Sequence, residues 1–152
     1  NNIGSAQMKK GDLVAARLSF AEAMRRYRTG DDVEGIATVL SNDALVDIAS
    51  GEFAAARDKL SRSLAMSLPK KNHRLSATSY YALGKLDESQ GLFADALTSY
   101  SRALSEDKLV EYSKGIAKDL DALARVSLAI GNDSAAADYS ARAKRAGMKS
   151  RD

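Results

Sequence analysis

Cysteine and tryptophan are absent from the 152 residues, and proline and histidine occur once each. Without cysteine the chain has no disulfide, no thiol nucleophile and no Cys-ligated metal, and the redox state of its compartment is left open. The one histidine, His73, sits in Lys70-Lys71-Asn72-His73-Arg74, with no adjoining carboxylate and nucleophile to make it a catalytic base. The chain has no H-E-x-x-H, no phosphate-binding glycine loop ending in Lys-Ser/Thr and no EF-hand loop. Asp31, Asp32 and Glu34 match no cation-loop spacing and read as a solvated turn, and Asn132-Asp133-Ser134 fits a glycosylation sequon but reads better as a helix cap. No apolar run approaches the roughly 20 residues needed to cross a bilayer, and no signal peptide is visible. The net charge of +3 and the aromatic share of 6% are too low to point to nucleic acid. These absences predict no enzyme, no metal and no cofactor.

What is present is repetition. Gly11, Gly51, Gly91 and Gly131 stand 40 residues apart. Behind each glycine, at fixed offsets, come a small column (Ala16, Ala56, Ala96, Ala136), a bulky one (Phe20, Leu60, Tyr100, then Ser140) and a second small one (Ala23, Ser63, Ala103, Ala143). Ahead of it lies Gly4, Ala44, Gly84, Ala124. Spacings of four and three place the three later columns on one helix face. Small residues there let a neighbouring helix approach, and the bulky one fills the gap. The glycine suits a left-handed helix C-cap, and Asp12, Glu52 and Asn132 behind it suit a helix start. The spacing predicts an all-α chain of helix pairs over 2–10 and 13–29, 33–50 and 53–68, 73–90 and 93–109, and 113–130 and 133–146. The weakest punctuation falls at Val110–Tyr112.

This pattern resembles the tetratricopeptide repeat. The residues carrying it are Gly4/Gly11/Ala16/Phe20/Ala23, Ala44/Gly51/Ala56/Leu60, Gly84/Gly91/Ala96/Tyr100/Ala103 and Ala124/Gly131/Ala136/Ala143. The unit is longer than the usual one and lacks its closing proline, whose column holds Arg28, Leu68, Lys108 and Met148; this is similar to the 40-residue variants of bacterial regulators and signalling adaptors. The resemblance implies a right-handed superhelical solenoid in one domain, with repeats at 1–32, 33–72, 73–112 and 113–147 and a basic tail at 148–152. The truncated first helix leads us to expect more protein upstream. Asp133, Ser140 and Lys144 replace bulky columns in the last repeat, as expected of a polar cap. The basic residues Arg142, Lys144, Arg145, Lys149 and Arg151 read as a solvated helix end.

In such families the first helices of the pairs line a concave groove. The matching columns give Thr38, Ser41, Asn42 and Leu45, then Thr78, Tyr81 and Lys85, then Lys118, Asp121 and Arg125 as the candidate peptide-binding stripe. The carboxylate clamp known in some relatives does not fit, since Asn42 and Lys118 are isolated matches. Of the paired tyrosines, Tyr80 shares a column with Leu40 and Leu120 and reads as core, which leaves Tyr81 as the surface aromatic. The expected function is a non-catalytic scaffold that binds a protein or peptide segment, with an acidic one suiting Lys85, Lys118 and Arg125. The alternative is a regulatory or oligomerisation segment of a larger bacterial signalling or envelope protein, with a second copy as a partner. Nucleic-acid binding ranks third. The compartment is not legible: cytoplasm and, for an exported chain, bacterial envelope both fit.

Overall fold

The computed structural model describes residues 2–149. Eight α-helices succeed one another among the described residues: α1 (Asn2–Lys9), α2 (Leu13–Thr29), α3 (Val33–Ser50), α4 (Phe53–Ser67), α5 (His73–Ser89), α6 (Phe93–Leu109), α7 (Ser113–Ala129) and α8 (Asp133–Lys149). The predicted ends hold to within a residue except at the last. There α8 runs on to Lys149; Arg151 and most of the predicted 148–152 tail lie outside the described residues.

The turns explain this regularity. Gly11, Gly51, Gly91 and Gly131 have positive φ, as expected, but so do Asp31, Lys71 and Glu111 midway between them. A left-handed residue therefore recurs every 20 positions, and each turn closes with the same two backbone bonds. At the first, the Gly11 N–H donates to Met8 O and the Asp12 N–H to Gln7 O, both at 3.0 Å; at the sixth, Glu111 donates to Lys108 O at 3.2 Å and Tyr112 to Asp107 O at 2.9 Å. This is the paired-bond helix stop that satisfies the last carbonyls. The weakly punctuated junction at 110–112 is thus a turn like the others, built without glycine.

Capping at the next helix start varies more. The side chains of Asp12, Asp32, Asn72 and Asn132 accept from the N–H three residues on, at 2.9, 2.8, 3.1 and 3.1 Å. Asp32 and Asn132 are thereby accounted for as caps. Glu52 makes no cap bond; its carboxylate accepts from Arg17 instead, at 2.9 Å.

A non-glycine residue held left-handed costs about 1 kcal/mol, partly returned because glycine is freer when unfolded. Glu111→Gly should raise stability by about 0.5 kcal/mol, read as a higher denaturation midpoint in urea at unchanged slope. An equal or lower midpoint would show that the left-handed Glu111 carries no cost.

The chain forms two compact units, Asn1–Leu75 and Ser76–Asp152, each described by itself. The first packs Ala16, Phe20 and Ala23 of α2 against Val39 and Val46 of α3, with Met8, Leu13, Met24 and Tyr27 at the edges. The second packs Ala96, Tyr100 and Leu104 of α6 with Leu120, Leu123 and Val126 of α7 and Ala143 of α8. The predicted small and bulky columns are the buried ones in both units, down to Ser140, which is half-buried. Asp133 and Lys144, the polar substitutes in the last repeat, are exposed.

Candidate functional site

In the first unit, α3 carries the predicted stripe. Thr38, Asn42 and Leu45 are half-buried on it. Ser41 is not part of any surface: it is fully buried, and its hydroxyl donates to Ser63 Oγ at 2.8 Å, while Ser63 donates to Ala37 O at 2.9 Å. Position 41 lies one helical step to the α4 side of position 42, so a stripe drawn at i, i+3, i+4 took in a residue of the packing face.

Beside this stripe lies a charge cluster that sequence reasoning missed. Asp47 of α3 is fully buried, and its carboxylate is held between Arg17 Nη1 at 2.9 Å and Lys59 Nζ at 2.6 Å. Lys59 also reaches Asp43 at 2.5 Å. Burial pushes the Lys59 ammonium down, but the two carboxylates outweigh it and hold it above its ordinary value. Every group here is paired within the unit, so the cluster ties α2, α3 and α4 together and presents no reactive group. Asp47 and Asp87 stand one repeat apart and are both buried, and this spacing was the signal available in the sequence.

In the second unit the stripe falls on α5 and α7. Thr78, Lys85, Lys118, Asp121 and Arg125 are exposed and Tyr81 is half-buried. The Tyr81 ring packs at 56° on the buried Tyr100 ring, with centroids 5.2 Å apart. Lys118 Nζ sits 3.5 Å from the Tyr81 ring centre, within cation–π range. Glu88 joins the layers: it takes Arg125 Nε at 2.7 Å and Nη2 at 2.8 Å, and accepts from the Tyr100 hydroxyl at 2.7 Å. The Arg125 hydrogen bonds, against some desolvation, hold the Glu88 carboxyl below its ordinary range. Burial, then the Glu88 carboxylate, keep the Tyr100 phenol protonated far above the usual range. Burial also raises Tyr81. A bidentate arginine–carboxylate pair tied to a core tyrosine fixes Arg125 in place. The result is an aromatic ring with fixed orientation and cations around it.

Tyr80 departs from its expected place. Leu40 and Leu120 in its column are buried, but Tyr80 is half-buried, with the Arg102 guanidinium 5.6 Å from its ring centre. It lines an open depression of about 540 Å³ with Leu97, Thr98, Ser101, Arg102, Ser105 and Glu106. His73 is the first residue of α5, half-buried, and among the described residues no three metal-binding side chains gather anywhere. No helix among the described residues is long and apolar enough to span a membrane.

Comparison with known proteins agrees with the helix pairs. The tetratricopeptide repeat family model matches residues 35–108. The crystal structure of BtubC (BKLC) from P. vanneervenii superposes with a TM-score of 0.79 at 19% identity, over 97% of this chain and 61% of that one. The crystal structure of MamA gives a TM-score of 0.63 at 17% identity, over 98% and 96% of the two chains. At these identities the likeness is one of fold, and the chain spans 61% of the length of BtubC. No curated protein sequence matches the chain.

Proposed function

We propose that this chain, whose residues 35–108 match the tetratricopeptide repeat family model, is a non-catalytic scaffold whose first helices bind a segment of a partner protein, as repeats of that family generally mediate protein–protein interaction. In the second unit the binding residues are Thr78, Tyr81 and Lys85 of α5 with Lys118, Asp121 and Arg125 of α7. Thr38, Asn42 and Leu45 of α3 are their counterparts in the first.

The observation that carries this reading is the setting of Tyr81. A half-exposed aromatic already seated on Tyr100 loses little freedom on binding, which is what makes tyrosine an effective interface anchor. The charge around it favours an acidic segment. By formal charge, Lys85, Lys118 and Arg125 outnumber Glu88 and Asp121 around the ring. A rim excess of this kind steers encounter more than it adds affinity.

Tyr81→Ala combined with Lys85→Glu should abolish partner capture from the native lysate, while far-ultraviolet circular dichroism stays unchanged. Tyr81→Ala alone should cost about 2 kcal/mol, roughly 30-fold in affinity, once a partner is in hand. Undiminished capture by the double variant would move the interface elsewhere.

A further inference from the structure

Tight turns make successive helices of the second unit antiparallel. The end of α6, the start of α7 and the end of α8 therefore lie together at one end of it. The opposite end gathers the end of α5, the start of α6, the end of α7 and the start of α8. Both ends expose large apolar side chains. At the first, Leu109 is 65%, Val110 40% and Met148 68% exposed; at the second, Leu92 is 44%, Leu128 62% and Ile130 48% exposed. Exposure does not distinguish the two ends, and charge does. Residues 102–118 and 142–148 build the first and carry seven lysines and arginines against three carboxylates. Residues 86–101 and 126–141 build the second and carry five carboxylates and no lysine or arginine. The unit thus has one cationic apolar end and one acidic apolar end.

The cations on the sides of the unit are engaged. Arg102 lies over the Tyr80 ring and Lys118 over Tyr81, Arg125 is held by Glu88, and Arg142 pairs with Asp138. At the cationic end, Lys108, Lys114, Lys144 and Arg145 are exposed and make no ion pair among the described residues. Asp107 is buried and Glu106 half-buried, which leaves Glu111 as the exposed carboxylate there. Lys108 and Met148 hold the same position one repeat apart, so a cation and an apolar group stand side by side. Unpaired cations around exposed leucine, valine and methionine match a surface that is anionic outside and apolar a few ångströms beneath. Acidic headgroups take the ammonium and guanidinium groups, and the acyl boundary takes the side chains. Nucleic acid would use the charge and leave the apolar residues in water. An acidic protein would need a concave surface to cover a turn tip and a helix end at once, and a deformable bilayer needs no such fit.

We propose that this end of the second unit docks peripherally on anionic lipid bilayers. Leu109, Val110 and Met148 enter the headgroup region, and Lys108, Lys114 and Arg145 meet the lipid phosphates. The contact is with the membrane surface, as no helix among the described residues is long and apolar enough to cross it.

Flotation with phosphatidylcholine vesicles containing about one-third phosphatidylglycerol tests it. The chain should float with these vesicles and not with pure phosphatidylcholine, and binding should weaken as the ionic strength rises from about 0.1 M to about 1 M. Leu109→Ser should weaken binding roughly tenfold. Lys108→Glu combined with Arg145→Glu should weaken it roughly 100-fold or more. Glu111→Lys, which installs the residue that Lys71 supplies in the corresponding earlier turn, should tighten it. Leu128→Ser, at the acidic end, should bind like the wild type. So should Tyr81→Ala, which makes failure here distinguishable from failure of the proposed protein-binding stripe. The substituted residues at both ends are exposed, so the dichroism spectra should not change. Equal binding to neutral vesicles, no binding to anionic ones, or indifference to Leu109→Ser would each overturn the proposal. Soluble polyglutamate bound as tightly as the anionic vesicles would assign this end to an acidic protein and overturn it as well.

Discussion

Asp119→Asn makes the protein more stable at pH 8 and removes the loss of stability that the wild type shows as the pH rises from about 4. Asp119 of α7 is 2% exposed and Asp107 of α6 is 5% exposed. The two carboxyls meet in the second unit, away from water. Burial first, and then the neighbouring Asp107, push the Asp119 carboxyl up to about 8, against a smaller pull from Lys118 on its own helix. On α5, Tyr81 feels the Asp119 charge in turn. An unfolded aspartate titrates near pH 3.9. Between that value and about 8 the folded chain keeps a proton that the unfolded chain releases, so stability falls as the pH rises through this window and levels off above it. The full penalty is on the order of 5 kcal/mol. Asparagine has nearly the shape of the protonated acid, can donate to Asp107 and never ionises. Urea denaturation at a series of pH values measures both chains. A variant curve that still falls between pH 4 and 8 would place the titrating group elsewhere.

That acid pair also marks where the sequence stops being legible. Positions 27 and 39 of the repeat hold Tyr27 and Val39 in the first unit and Asp107 and Asp119 in the second. The two columns change character together, from largely apolar to acid, a covariation that predicts facing residues within each unit. Reading one column at a time finds the helix faces, because glycine turns and alanine stripes repeat with the backbone. It misses what differs between repeats, because a polar side chain in a packing column looks like one on a solvated face. Ser41 reads as a surface residue for that reason, and so do Asp47, Asp107 and Asp119, all of which are buried. The left-handed turns at Asp31, Lys71 and Glu111 were hidden for the converse reason: the conformation repeats where the residue type does not. Tyr81, Lys85, Lys118 and Arg125 were found because exposed positions on a first helix follow from the period alone. Glu88, which fixes Arg125, has no signature in the repeat pattern, since its bond to Tyr100 needs a third helix in place.

A second covariation gives the sharpest test of the packing. Where the bulky column is aromatic, at Phe20 and Tyr100, the facing residue is glycine, at Gly4 and Gly84; where it is Leu60 or Ser140, the facing residue is Ala44 or Ala124. Glycine inside a helix is a poor choice by itself, costing about 0.5–1 kcal/mol relative to alanine. The ring explains it. A methyl group at Gly84 would lie 2.6 Å from Tyr100 Cδ1 and Cε1, and one at Gly4 would lie 2.7 Å from Phe20 Cε1. Tyr100 has no room to retreat, because it is fully buried and its hydroxyl is held by Glu88 at 2.7 Å. Gly84→Ala should therefore destabilise the protein by about 1–3 kcal/mol through overpacking. In the Tyr100→Leu background, which restores the alanine–leucine pairing of the second repeat, the same substitution should stabilise by about 0.5–1 kcal/mol, the ordinary helix preference for alanine. Tyr100→Leu itself is costly, since it removes the hydrogen bond to Glu88 and leaves space beside Tyr81. The double-mutant cycle cancels that cost and reports the coupling alone. A change of sign between the two backgrounds means that ring volume selects the glycine. An equal cost in both would mean that something other than Tyr100 keeps alanine out of position 84.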